Sequence, residues 1–419
     1  MKKLLISADT ILPVSSEPLK DSALIIKDGK IQDIGRTSQL RKKYKGTNEI
    51  NLGEGALLPG FINAHTHLEL GWIKKRIGGF KGFTQWLRQI IGAKKEGVSN
   101  REIEDSVARG IKAQIKSGVT TVGEISSYGG LDIPILKKSG LRVVLFREAV
   151  DSKEGMLDFD TFETSDLYEE RLFPHAPYSC SPGLLENTLD SHRKNKRPLG
   201  IHLAESKEEI EFVNRKANSI ESEIFPLLDK ESFKRKKANT PFEYLKNLGF
   251  FDHGGVTTVH MVHVGSEEIK EIKNLDIGIV LCPRSNLFLQ VGVPPLKQYA
   301  KLKRVGLGTD GLSSNYNLDF FEEIRVLHLL YSDALGKEAS YEAVYSATLG
   351  GAGALFMEHR IGSIEIGKEA DLIFLNSKGE SKNPYLSVVS STTDNLDLVM
   401  VGGKILHSKR TISSKKQNA

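Results

Sequence analysis

The chain has 419 residues, of which 39% are hydrophobic, so it is long enough for a barrel-sized core together with a second, smaller unit. Its 58 Lys and Arg and 53 Asp and Glu residues leave a net charge of +5, which is too small over this length to indicate nucleic-acid binding. The only two cysteines, Cys180 and Cys282, exclude a disulfide framework, and no apolar run approaches the roughly 18 residues of a membrane helix, so we predict a soluble, cytoplasmic protein without membrane or nucleic-acid partners.

Short strand-like segments lie near both ends of the chain. They are apolar or alternating, and they occupy residues 4–6, 23–27, 30–34, 56–58, 371–375 and 398–405. Asp28-Gly29 is a hairpin turn signal between two of them. Neither end alone can cover a core, so we predict that residues 1–58 and 361–407 together form one small β-sandwich domain, followed by a polar tail at 408–419.

Strand-like and helix-like segments alternate between these two ends. The eight strand candidates are residues 61–65, 119–124, 142–147, 171–175, 199–203, 256–260, 277–281 and 305–308. Helix-like segments, for example 101–117 and 320–335, separate most of them. This alternation is typical of an α/β fold with a closed parallel barrel, so residues 59–360 are predicted to form a (β/α)8, or TIM, barrel. The long, polar, Lys-rich stretch 213–240 is predicted to be an insertion after the fifth strand.

Ionisable side chains come at the predicted ends of five barrel strands, where barrels of this type place their active sites. His65 and His67 are two positions apart on a strand, so both imidazoles can point to the same side. The other strand ends deliver His175, His202 with Glu205 just beyond it, His260 and Asp310. A single strand histidine is more often structural, but the whole set converging on one rim favours a site.

Several histidines with one aspartate suit zinc or iron(II) better than magnesium or calcium. The predicted ligands of this divalent metal are His65, His67, His202 and Asp310. A bound metal lowers the pKa of its water from about 15.7 towards about 7. We expect His260 and Asp310 to orient that water and accept its proton. Glu205 is expected to pass a proton to a ring nitrogen of the substrate and then to its leaving group.

Six sequence segments resemble the motifs of the amidohydrolase superfamily. They are residues 58–67, 202–205, 259–263, 282–286, 308–311 and 361–372, and they extend over nearly the whole chain. Binuclear members of this superfamily carry a carbamylated lysine near the end of strand four, whereas residues 173–182 contain no lysine, so the resemblance implies one metal. His175-Ala176-Pro177-Tyr178 is similar to the nucleoside deaminase branch, in which this histidine contacts the substrate.

The resemblance therefore implies a metal-dependent hydrolase of carbon–nitrogen bonds other than peptide bonds, which deaminates a 6-aminopurine nucleoside and releases ammonia. In methylthioadenosine and S-adenosylhomocysteine deaminases a glutamate before Trp-Leu contacts the ribose, but here Gln85 precedes Trp86. Glu69, two residues after His67, resembles the corresponding loop of aminodeoxyfutalosine deaminases of menaquinone synthesis and is expected to bind a sugar. Arg147 is expected to pair with the benzoate of that substrate.

Aminodeoxyfutalosine is thus the first expected substrate. Methylthioadenosine, S-adenosylhomocysteine and guanine remain alternatives, as do the reactions of chlorohydrolases and cyclic amidohydrolases, since the same attack by water serves all of them. A scaffold that has lost its metal is a further alternative, which the complete ligand set disfavours. The predicted substrate-binding residues are His175, Glu69, Arg147, Gln85 and Trp86. A small molecule is the predicted partner, self-association into a homo-oligomer stays open, and His263 has no assigned role.

Overall fold

The computed structural model describes residues 3–151, 158–300, 302–376 and 383–409. The strands in this part of the chain are β1 (Lys3–Ile11), β2 (Leu19–Lys27), β3 (Lys30–Arg36), β4 (Asn48–Asn51), β5 (Ala56–Pro59), β6 (Phe61–Thr66), β7 (Val119–Ser126), β8 (Arg142–Ala149), β9 (Tyr168–Pro174), β10 (Leu199–Leu203), β11 (Val256–His260), β12 (Ile277–Leu281), β13 (Val305–Leu307), β14 (Leu372–Leu375), β15 (Leu396–Val401) and β16 (Lys404–Ser408).

The α-helices in the same part of the chain are α1 (Thr37–Lys43), α2 (Gly82–Glu96), α3 (Asn100–Lys116), α4 (Ile133–Lys138), α5 (Pro182–Asn195), α6 (Lys207–Val213), α7 (Phe225–Leu227), α8 (Pro241–Asn247), α9 (Ser266–Ile272), α10 (Pro283–Phe288), α11 (Leu296–Tyr299), α12 (Phe320–Leu335), α13 (Ala339–Ser346), α14 (Leu349–Ala354) and α15 (Pro384–Ser390). Two 3-10 helices (Leu68–Arg76 and Gly336–Glu338) and one π-helical turn (Ile220–Ile224) accompany them. None of the described helices combines the length and the apolar character that crossing a membrane requires.

Eight parallel strands form the barrel, in the order β10-β11-β12-β13-β6-β7-β8-β9. The ring closes between its last and first strands, where the His202 backbone N–H donates to the carbonyl oxygen of His175 at 3.0 Å. All eight predicted strands are confirmed, with ends that shift by at most three residues. Because every strand runs the same way, their carboxyl ends share one rim, and the candidate site lies at this rim.

Both ends of the chain contribute to the second sheet, as predicted. Its order is β16-β15-β14-β5-β1-β2-β3, and β4 pairs with β1. β14 runs antiparallel to β5, which is itself parallel to β1, so strands from the two termini are interleaved in one sheet. The sequence analysis missed β4 because its four residues, Asn-Glu-Ile-Asn, show no apolar stretch. β16 includes Ser408, which was assigned to the tail, and residues 410–419 of that tail lie outside the described residues.

A buried ion pair connects the second sheet to the barrel. Arg142, at the start of β8, donates from Nε to Asp371 Oδ2 at 2.8 Å and from Nη2 to Oδ1 at 3.2 Å. The Gly402 backbone N–H also donates to Asp371 Oδ1 at 2.7 Å. The two side chains are only 2% and 3% exposed, so this contact is a desolvated anchor between the two sheets.

Candidate active site

The four predicted metal ligands lie together at the carboxyl end of the barrel. His65 belongs to β6, His67 follows that strand directly, and the ring nitrogens of His65, His67 and His202 lie within 4.8 Å of one another. The Nε2 atoms of His65 and His67 are each 3.6 Å from Asp310 Oδ1, and those of His65 and His202 are 3.3 Å apart. His202 Nδ1 hydrogen bonds to the His175 carbonyl oxygen at 2.8 Å, which turns its Nε2 towards the cluster.

The charge states of this cluster suit a transition metal. Burial lowers the pKa of His67 to about 3 and that of His202 well below its ordinary value, so both rings are neutral and can offer a lone pair. Burial alone would raise the pKa of Asp310, but a hydrogen bond to His65 and the nearby histidines hold that pKa well below its usual range. Three imidazoles, of which those of His67 and His202 are neutral, and one carboxylate are donors that zinc or iron(II) prefers.

Asp310 is held in a fixed orientation by three donors. It has a left-handed backbone conformation, with φ of 56°, three residues after the end of β13. Its Oδ2 accepts from Ser285 Oγ at 2.7 Å and from Ser314 Oγ at 2.6 Å, and its Oδ1 accepts from the Gly311 N–H at 2.8 Å. The sequence analysis did not predict the roles of Ser285 and Ser314, although Ser285 falls within the 282–286 motif.

Glu205 and His260 face one another beside the histidine cluster. His260 Nε2 is 3.7 Å from Glu205 Oε1, and His260 Nδ1 contacts Asn286 Oδ1 at 2.9 Å, so that Nδ1 carries the proton. Burial lowers the pKa of His260 to about 4, which leaves Nε2 as a proton acceptor. Burial, reinforced by the charges of Asp310 and Glu209, raises the pKa of Glu205 well above its ordinary value. Burial therefore favours the protonated, proton-donating form of Glu205 beside a histidine whose Nε2 can accept a proton.

Glu209 shapes the turn that carries Glu205, and the sequence analysis missed it. Ala204 has a φ of 53°, a conformation that is costly for a residue with a side chain. The buried Glu209 carboxylate accepts from the backbone N–H groups of Ala204 at 3.1 Å and Glu205 at 2.9 Å. Ser206 caps α6 by accepting from the Glu209 N–H. The Ser-Lys-Glu-Glu spacing at 206–209 is the signal that would have identified this cap.

A cavity of about 870 Å³ opens above these groups, and the predicted substrate contacts His175 and Trp86 line it. Side chains of α2 and of the insertion at 213–240 form its apolar walls: Leu87, Ile90, Ile91, Ile224, Phe225 and Leu228. Thr84 Oγ1 contacts Ser219 Oγ at 2.6 Å, and Arg88 pairs with Glu223 at 2.8 Å, which attaches the insertion to α2. The insertion therefore forms one side of the candidate substrate pocket.

Three predicted substrate contacts do not line this cavity. Gln85 Oε1 accepts from the Lys81 N–H at 2.9 Å, at the start of α2. Glu69 Oε2 accepts from the Ser127 N–H at 2.6 Å, within a buried acidic cluster where burial raises its pKa to about 9. Arg147 packs over the Phe162 ring at 4.7 Å. The structure therefore does not bring Gln85, Glu69 and Arg147 together with the other candidate substrate contacts, and their binding roles stay predictions.

The directions in which these side chains point explain why they do not line the cavity. Successive residues of a strand point to opposite faces, so at the end of β8 the side chain of Glu148 enters the cavity while that of Arg147 points away from it, 3.9 Å from Glu170. Glu69 lies in the 3-10 helix that follows His67, and this helix carries its side chain away from the barrel mouth towards β7. These residues were predicted from neighbouring motifs, which do not fix such directions.

Charged residues that the sequence analysis did not consider line the cavity instead. Lys94 and Lys95 come from α2, and Lys230 comes from the insertion. Lys230 Nζ donates to the Ser179 carbonyl oxygen at 3.1 Å. Glu148 is only 11% exposed, and its Oε1 is 3.9 Å from His175 Nε2. His263 does not line the cavity; its backbone N–H donates to the Ala204 carbonyl oxygen at 2.9 Å and so braces the turn that carries Glu205.

Comparisons with known proteins agree with this architecture. Residues 56–406 match the model of the amidohydrolase family. A 5-methylthioadenosine/S-adenosylhomocysteine deaminase from Thermodesulfovibrio yellowstonii is 30% identical, with 93% of this chain and 89% of the relative covered. A 5'-deoxyadenosine deaminase from Methanobrevibacter smithii is 31% identical, with 96% and 92% covered. The crystal structure of Helicobacter pylori aminofutalosine deaminase in complex with methylthio-coformycin superposes with a TM-score of 0.80 at 26% identity, covering 96% of this chain and 99% of that one.

Proposed function

The chain belongs to the amidohydrolase family, and from that premise we propose that it is a metal-dependent hydrolytic deaminase of a 6-aminopurine nucleoside. One observation carries this proposal: Glu205 and His260 face each other at 3.7 Å beside the histidine cluster, at the bottom of a largely apolar cavity. A flat, apolar heterocycle with one amino group that can leave suits this cavity, because its ring can pack against the apolar walls while the amino group reaches the catalytic residues at the bottom. The names of the related proteins support the same class of substrate.

The metal would be held by His65, His67, His202 and Asp310, whose donor atoms fit zinc, with iron(II) as the alternative. When bound there, it would supply an activated water nucleophile at neutral pH. The chain's own contribution is proton transfer. Burial raises the pKa of Glu205 and so favours its protonated form, which can donate to the ring nitrogen beside the amino-bearing carbon. The carboxylate left behind can then take the remaining proton of the added water and pass it to the departing amine, and the proton accepted by His260 restores the acid for the next turnover.

His260 and His175 complete the proposed mechanism. His260 holds its Nδ1 proton against Asn286, so its Nε2 can accept the proton lost by the attacking water. His175 Nδ1 contacts Ser179 Oγ at 2.8 Å, which fixes the ring at the cavity wall, where it can contact the bound nucleoside. The substrate loses its amino group as ammonia, and the product is the 6-oxo nucleoside.

The cavity also bears on which nucleoside is used. Its volume of about 870 Å³ leaves room for a 5′ substituent beyond the purine and ribose. Apolar side chains such as Ile90, Ile91 and Leu228 suit an aromatic ring, and Lys94 and Lys230 suit a carboxylate. The benzoate-bearing aminodeoxyfutalosine combines both features, so it remains our first candidate, with these lysines in place of Arg147. Methylthioadenosine and S-adenosylhomocysteine come second, because a relative at 30% identity is named for both of them.

The decisive experiment compares kcat/KM of the zinc-loaded enzyme for aminodeoxyfutalosine, methylthioadenosine, S-adenosylhomocysteine and guanine. We expect ammonia release from the nucleosides, with the first substrate preferred. The double variant Lys94→Met/Lys230→Met should lose that preference, while Lys297→Met, an exposed lysine outside the cavity, should keep it. Equal or better activity on S-adenosylhomocysteine or guanine would overturn the substrate choice, and no ammonia release from any of them would overturn the deaminase.

Glu205→Gln separates chemistry from binding. The variant is expected to retain its metal and to lose about 10²–10⁴-fold in kcat, the usual scale for a general acid–base residue. Normal turnover in this variant would remove Glu205 from the proton path.

A further inference from the structure

The carboxylate of Glu148 lies in the wall of the cavity, and neither the sequence motifs nor the mechanism above uses it. We propose that Glu148 binds the vicinal hydroxyl groups of the substrate ribose and so selects ribosides over deoxyribosides. This inference rests on the proposed function, because it takes the substrate to be a nucleoside.

Glu148 lies next to the residue expected to contact the nucleoside and close to the metal-ligand cluster, where its charge acts on His67. It is the second-to-last residue of β8, and its Oε1 lies 3.9 Å from His175 Nε2. The His175 ring is in turn 4.8 Å from the ring of His202, measured between centroids. A purine whose amino end reaches Glu205 and the histidine cluster therefore presents its sugar side towards the His175–Glu148 wall.

The chemistry of a buried carboxylate limits what Glu148 can bind. An ionised carboxylate only accepts hydrogen bonds, and a buried one needs donors to offset its lost hydration. Among the described residues, His175 is the only basic side chain within 4.0 Å of it, at a distance too long for a hydrogen bond, and the Ser127 side chain provides one hydrogen bond. A carboxylate has about four acceptor sites, so most of those of Glu148 are free for a ligand. Two neighbouring hydroxyl groups offer one donor to each carboxylate oxygen, so a ribose diol matches this site.

Other carboxylates near the cavity are less suited to this role. Glu69 points into the buried acidic cluster on the β7 side and does not line the cavity. Asp151 lines the cavity, but its oxygens already accept from the Ser181 N–H and, at 2.9 Å, from Ser181 Oγ. Asp229 and Glu231 belong to the insertion that forms the outer wall. Apart from Glu205 and the metal-ligand candidate Asp310, Glu148 is thus the deeply placed cavity carboxylate among the described residues whose acceptor sites are largely free.

The test compares a riboside with its 2′,3′-dideoxy analogue in wild-type enzyme and in Glu148→Gln, which keeps the shape of the side chain. The variant is expected to lose about 10- to 100-fold in kcat/KM on the riboside, the scale for losing hydrogen bonds to a charged group, and less than about 3-fold on the dideoxy analogue. Glu231→Gln, a cavity carboxylate on the insertion, should not change the ratio between the two substrates. Metal content and thermal unfolding of all variants check that the fold is kept.

If Glu148 acts only through His175, Glu148→Gln should reduce activity on both substrates equally, and this result would overturn the proposal. A Glu148→Gln variant with the kcat/KM of the wild-type enzyme on the riboside would also overturn it. Binding of the unreactive 6-oxo riboside and its dideoxy analogue, measured by calorimetry, separates this inference from the proposed function. Tighter riboside binding that depends on Glu148, in an enzyme that releases no ammonia, would uphold the inference and refute the deaminase. Equal binding of the two compounds to the wild-type enzyme would overturn the inference alone.

Discussion

Replacing Glu209 by alanine is expected to reduce turnover strongly, although Glu209 does not line the cavity. The substitution leaves the buried N–H groups of Ala204 and Glu205 without their acceptor, and each unsatisfied group costs about 1–3 kcal/mol. The two unsatisfied N–H groups together cost about 2–6 kcal/mol. Glu209 holds Ala204 in a left-handed conformation that itself costs roughly 1–2 kcal/mol, so the lost hydrogen bonds cost more than this conformation does. The turn should therefore relax, and Glu205 should move away from His260.

A displacement of about 1 Å in a catalytic group can reduce the rate about 10²-fold, so we expect kcat to fall by about 10- to 100-fold with little change in KM. Glu209→Gln keeps one acceptor oxygen and should lie between alanine and wild type. Glu211→Gln, on the exposed face of the same helix, is the control. Kinetics, elemental analysis and thermal unfolding are measured in parallel. Wild-type kcat and unfolding temperature in Glu209→Ala would refute the reasoning. Loss of metal together with activity would show that the substitution acts through the metal ligands rather than through Glu205.

Three further predictions concern the metal, the sheet anchor and a buried acid. Elemental analysis should find one divalent metal per chain, mostly lost in His202→Ala, and two tightly bound equivalents would contradict the single site. Arg142→Met leaves the Asp371 carboxylate buried and unpaired, so the free energy of unfolding in denaturant should fall by about 3–5 kcal/mol, and a wild-type value would show that the anchor contributes nothing. Burial, together with the nearby Glu338, raises the pKa of Glu342 from 4.5 to about 7. Ionisation of Glu342 therefore lowers the free energy of unfolding, and this loss grows as the pH rises from 4.5 to 7. Glu342→Gln should therefore melt at a higher temperature than wild type at pH 8 but not near pH 4.5, and an equal melting temperature at pH 8 would contradict this sign.

The sequence by itself determined the barrel and the position of its histidine cluster. Each barrel strand is a short apolar run between helical segments, and this alternation is a local property that a single sequence displays. His65, His67 and His202 lie within or directly after such strands, where the alternation of side chains and the common rim of a parallel barrel fix their direction. The same local logic predicted that strands from both termini would combine.

Only the tertiary structure decided which residues line the cavity beyond the strand ends. Arg147 and Glu148 are neighbours on β8, and the orientation of this strand in the barrel determines that Glu148 rather than Arg147 faces the cavity. The 3-10 helix after His67 carries Glu69 away, and the insertion at 213–240 folds back against α2 to form a wall, through contacts such as Thr84 with Ser219. Such positions depend on loop paths and on contacts between residues more than a hundred positions apart, which no local pattern in one sequence records.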